Sequence, residues 1–101
     1  MIFEGYAFDS ITVTNVAGGV SLTLAKLSSG GAAPAQGVFL TVDGAALRFR
    51  FDGTAPTATV GHQLSSGDSV TIYGNNSLRN FRAIRDAGAV LNPTLQVTYL
   101  R

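Results

Sequence analysis

The sequence predicts an all-β fold, an antiparallel β-sandwich or jelly roll of about seven or eight strands. Two observations point there. Apolar and polar residues alternate with period two in run after run, and Gly, Asp, Ser and Pro clusters separate those runs roughly every 8 to 12 residues. A third limits the size: 101 residues suit one core, so residues 1–101 read as a single domain.

The elements follow in chain order. Ile11 and Val13 alternate with Thr12 and Thr14, and Val20, Leu22 and Leu24 with Ser21 and Thr23, each pattern a half-buried strand. Before them, Phe3, Tyr6 and Phe8 alternate poorly with small residues. They read either as core or as an N-terminal arm, residues 1–9, that docks on another subunit. The small, polar stretch Ser28 to Gly37, with Pro34 within it, is a loop long enough for its tip to reach a neighbour.

Asp43-Gly44 favours a two-residue hairpin turn. In that register Leu40 faces Leu47 and Val38 faces Phe49, so Val38, Leu40, Val42, Ala45, Leu47 and Phe49 share one face, with Thr41, Arg48 and Arg50 on the other. The alternating Arg48-Phe49-Arg50-Phe51 then runs into an Asp52-Gly53 turn braced by Pro56. Leu64 to Asp68 is a further turn leading into Val70-Thr71-Ile72-Tyr73.

Ser77 to Gly88 supports two readings. Ser77 caps a helix striped by Leu78, Phe81 and Ile84, or Asn76 to Asn80 is one helical turn followed by a strand Phe81 to Arg85. The all-β surroundings favour the second, with the strand joined to Thr94 to Leu100 as a terminal hairpin.

Composition narrows the function classes. Charged residues are 13% of the chain and hydrophobic ones 46%, so the surface is largely Ser, Thr, Gly, Ala and Asn. A formal charge of +1 supplies no long-range field toward nucleic acid or anionic lipid and little barrier to self-association. The expected partner is protein, including further copies of this chain. There is no cysteine, which removes disulfides, thiolate nucleophiles and sulfur-bound zinc. Nothing near Met1 resembles a signal peptide and no apolar run approaches a membrane span, so synthesis is expected in the cytoplasm. Asn75-Asn76-Ser77 matches a glycosylation sequon, which without such a signal reads as chance.

Catalytic material is sparse. His62 is the single histidine and sits at a loop end without an evident partner. Asp9, Asp43, Asp52, Asp68 and Asp86 each precede Ser, Gly or Ala, where an aspartate accepts backbone N–H bonds in a turn. Calcium at Asp43 or Asp52 lacks a spaced acidic loop, and no cofactor is expected. Arg48 and Arg50 on one strand face, with Arg79, Arg82 and Arg85 nearby, read as ion-paired residues or an arginine-lined protein interface. Tyr73 and Phe39 are aromatics on otherwise polar faces and the only candidates for sugar stacking.

The run from Leu47 through Asp52-Gly53-Thr54-Ala55-Pro56-Thr57 to Leu64, with Gly67-Asp68, Phe81 to Arg85 and Leu95 to Tyr99, resembles a group of small β-sandwich proteins encoded in the structural gene clusters of tailed bacteriophages. The likeness covers Leu47 to Arg101. It implies a non-enzymatic virion component, made in the host cytoplasm, that decorates a capsid or completes a head and binds itself or the major capsid protein. The Asp-Gly-Thr-x-Pro-Thr core also resembles the turn of Ig-like modules attached to bacterial glycoside hydrolases, which implies a carbohydrate-binding accessory role instead.

Overall fold

Period-two alternation places every second side chain on one face of a strand, and two such faces bury each other to make a core. The computed structural model describes residues 4–23, 27 and 34–101. These form seven strands, β1 (Gly5–Thr12), β2 (Gly37–Asp43), β3 (Leu47–Arg50), β4 (His62–Leu64), β5 (Ser69–Tyr73), β6 (Arg82–Arg85) and β7 (Thr94–Leu100), and one short helix, α1 (Asn75–Arg79). All strand pairs are antiparallel, in a four-stranded sheet ordered β1-β7-β2-β5 and a three-stranded sheet ordered β4-β3-β6. Val38, Leu40 and Val42 of β2 and Leu95, Val97 and Tyr99 of β7 meet Leu47, Phe49, Leu64 and Ala83 of the other sheet in one core. Phe81, stacked on Phe49 at 5.6 Å between ring centroids, and Leu78 of α1 close one end of it.

The two strand orders follow from one path. Folding the chain back about the loop 51–61 pairs β3 with β4, β2 with β5, Val20 with Ala83 of β6, and β1 with β7. Wrapping that doubled ribbon then brings β7 beside β2 and β6 beside β3. This is a jelly-roll path in which the second strand is, among the described residues, a single bridge at Val20.

Several expectations are corrected. Asp43-Gly44 does not close a hairpin: Leu40 lies opposite Val97 and Val70, Val38 opposite Tyr99 and Ile72, and Leu47 opposite Leu64 and Arg85. Gly44 does have the positive φ (89°) expected of it, but the link Gly44 to Ala46 carries the chain from one sheet to the other. Inward-facing apolar residues produce the same alternation whether two strands lie side by side or face each other across a core, so the pattern fitted the wrong pairing. The expected strand through Val20, Leu22 and Leu24 is only the Val20 bridge among the described residues, and Leu24 lies outside them. β6 and β7 do not form a terminal hairpin, since each belongs to a different sheet.

The helical turn and the strand after it are observed, with Gly74 rather than Ser77 at the N-cap. The arm reading fails for Gly5 to Asp9, which form the first half of β1 against β7; Phe3 lies outside the described residues.

Candidate functional site

The outward face of the four-stranded sheet is built by register. Phe8 of β1 and Phe39 of β2 both lie opposite Thr98 of the intervening β7, and Thr71 of β5 lies on the far side of Phe39. The neighbouring row is Gly5, Leu100, Gly37 and Tyr73. A Cβ on Gly37 would come within 3.0 Å of Tyr73 Cδ1, so the tyrosine ring lies over this glycine of β2. Phe8, Phe39 and Tyr73 are 57%, 43% and 56% exposed, and Phe8 and Phe39 stand two strands apart, about 10 Å. Ser10, Thr12, Thr41, Ser69, Thr94 and Gln96 complete the paired positions of the face, whose one charged side chain, Asp43 at the end of β2, accepts a hydrogen bond from Gln96 Nε2 at 3.3 Å. Among the described residues the result is a surface with a single charge at its edge and three large rings.

The outward face of the three-stranded sheet differs. Arg48 donates through Nε to Asp86 Oδ1 at 2.8 Å and through Nη1 to the Gly61 carbonyl at 3.1 Å. Gly61 itself has φ 141°, and a Cβ there would fall 3.1 Å from the Phe49 carbonyl and 3.2 Å from Pro56 Cβ. Pro56 is buried, and Ala87 N–H donates to the Ala58 carbonyl at 3.0 Å, so the loop 51–61 is drawn back over this sheet. Ile84, opposite Arg48 and outside the core cluster, is buried there.

The Asp86 carboxyl sits below its ordinary range, chiefly through the hydrogen bond from Gly88 N–H and then that from Arg48. Asp52 is lowered by its bidentate pair with Arg50, at 3.1 and 2.5 Å, and also accepts from Thr54 N–H.

No family model, curated protein or solved structure matches the chain. Its function must therefore be argued from these surfaces. Of the residues singled out by sequence, Arg48 pairs with Asp86 and Arg50 with Asp52, the second pair lying at the surface. Asp52-Gly53 is a turn, with Gly53 at φ 92°, and Pro56 secures the loop after it. Tyr6 packs beside Tyr99 and lies under the Arg101 guanidinium at 4.5 Å. Burial of Tyr6 raises its hydroxyl above the usual tyrosine range, an effect that Arg101 opposes.

Pro34 is exposed next to the buried Ala35, while residues 28–33 of its loop lie outside the described ones. His62 opens β4, exposed, 5.3 Å from the Phe49 ring centroid. Among the described residues no three His, Asp or Glu side chains converge as metal ligands do.

Sequence reasoning picked out Phe39 and Tyr73 but not their union with Phe8, because the signal lies in which strands are neighbours. It also passed over Val90 and Leu91, 90% and 63% exposed at the tip of the loop before β7. Two consecutive large apolar residues between Gly88 and Pro93 were the available cue.

Proposed function

We propose that this chain is a non-enzymatic structural protein of a bacteriophage particle, a capsid-decorating or head-completing component that acts through protein–protein assembly. The observation that carries the reading is the open aromatic face of Phe8, Phe39 and Tyr73. Large rings on a surface with little charge favour burial against another protein, and interface centres are enriched in such aromatics and depleted in charge. A face with almost no charge also meets a copy of itself without like-charge repulsion, as a two-fold interface requires. Further copies of this chain are therefore the first partner and the major capsid protein the second. The sequence likeness from Leu47 to Arg101 supplies the virion setting.

Native mass measurement of the purified chain, alone and mixed with a candidate capsid protein, tests this. Oligomers or a stable mixed complex are expected, and a protein that stays monomeric in both samples contradicts the proposal.

One observation favours a second reading, a carbohydrate-binding accessory module: three rings on a flat strand face can form a platform on which sugar rings stack. The chain has no tryptophan, the residue with the largest stacking surface, which weighs against it. Saturable binding on a glycan array, abolished by Tyr73→Ala, would move the assignment to this module.

A further inference from the structure

A second surface, independent of the aromatic face, has a chemistry of its own. Where the turn before Val20, the start of the loop 51–61 and the end of α1 meet, they enclose an open cleft of about 380 Å³ lined by Gly18, Gly19, Gly53, Arg79, Asn80 and Arg82, with two alanines. Its glycine wall is bare main chain. Around Gly18 and Gly53 there is open space where a side chain would stand, and a Cβ on Gly19 would lie 2.7 Å from the Ala83 carbonyl oxygen.

The charge in the cleft is one-sided. The Arg82 side chain is exposed and makes no hydrogen bond or ion pair among the described residues. Its partner across the β3–β6 ladder is another cation, Arg50, a placement that is destabilising unless an anion lies close by. The acid at hand, Asp52, already accepts through both carboxylate oxygens from Nε and Nη2 of Arg50. Arg79 is steadied from the same helix, its Nε donating to Asn75 Oδ1 at 2.8 Å.

We propose that this cleft binds an oxyanion group, a phosphate or a carboxylate carried by a small molecule or a partner. Arginine presents a planar fork of N–H donors matched to two oxygens of either group, and the Asn80 side-chain amide and the main chain of Gly18 and Gly53 line the same cleft as neutral donors, the Gly19 N–H being taken by the Val16 carbonyl. The recognised unit is a single anionic group, because a polyanion such as nucleic acid needs a broad basic footprint that a chain of net charge +1 does not provide.

The test is an amide NMR titration of the full ¹⁵N-labelled chain with inorganic phosphate and, separately, with succinate, at ionic strength held constant with sodium chloride. Saturable shifts are expected at Gly18, Gly19, Gly53 and Asn80, fitting one dissociation constant for at least one of the two anions. The anion that binds more tightly tells whether the natural group is phosphoryl or carboxyl. Arg82→Gln should weaken binding by about tenfold or more while leaving the rest of the spectrum in place. Arg82→Lys, which keeps the charge but loses the fork, should fall between the two. Arg85→Gln, at a residue bonded to Asn92 outside the cleft, should bind as the parent chain does. Absence of saturable shifts with both anions, shifts spread evenly over all arginines, or unchanged affinity in Arg82→Gln would overturn the assignment.

Discussion

On the four-stranded sheet, Phe8, Phe39 and Tyr73 point outward among threonines and serines, and the rings stand exposed among the described residues. On the three-stranded sheet, the outward positions carry Arg48, Arg50 and Arg82, and the chain's own loop 51–61 lies over part of them, pinned by Arg48 and Pro56. Both sheets bury equivalent aliphatic and aromatic faces against each other. The difference teaches where the molecule completes itself and where it does not. One outer face pairs Arg48 and Arg50 with its own aspartates and covers its apolar Ile84, while the other leaves three large rings about half exposed, at a free-energy cost that association would remove.

That contrast can be broken from the inside first, with the largest effect. Phe49 is stacked between Phe81 and Phe51 and belongs to the shared core, so Phe49→Ala should destabilise the fold by about 3–5 kcal/mol in urea unfolding. Phe39→Ser, ten positions earlier and facing outward, should leave stability within about 0.5 kcal/mol of the parent chain. It should weaken self-association by about tenfold or more, read by sedimentation across a concentration series.

The covered face is sharpened by Arg48→Ala, which frees both Asp86 and the Gly61 carbonyl. Its melting temperature should drop by about 5 °C, with faster amide exchange at Ala87 and no change in association.

The smallest effect is in acid. Asp52 and Asp86 are held below the ordinary carboxylate range in the folded chain, so their contribution is complete above about pH 4 and is lost as pH falls through their lowered values. Asp86→Asn should flatten part of that acid limb in a melting-temperature profile and leave the neutral region's pH dependence unaltered.

Much of the architecture was legible in the sequence. Alternation located the strands that became β2, β3, β5 and β7, and the all-β surroundings favoured a strand at Phe81 to Arg85 over a helix striped by Leu78, Phe81 and Ile84. What alternation does not contain is the identity of the neighbour. Val38 and Phe49 both point into the core, and nothing in either run says that the hydrogen bonds of β2 go to β5 and β7 rather than across Asp43-Gly44 to β3. The candidate surfaces fall under the same restriction. Phe8 joins Phe39 only because β7, from the far end of the chain, inserts between their strands, and Arg79 and Arg82 share a cleft only because the Gly18-Gly19 turn and Gly53 approach them.

The open face as an association surface is tested most directly by sedimentation velocity on the parent chain and on the triple variant Phe8→Ser, Phe39→Ser, Tyr73→Ser, each checked for an unchanged far-ultraviolet spectrum. The parent should shift toward faster-sedimenting species as concentration rises while the folded variant stays a monomer throughout. Identical, concentration-independent sedimentation of the two would contradict the account.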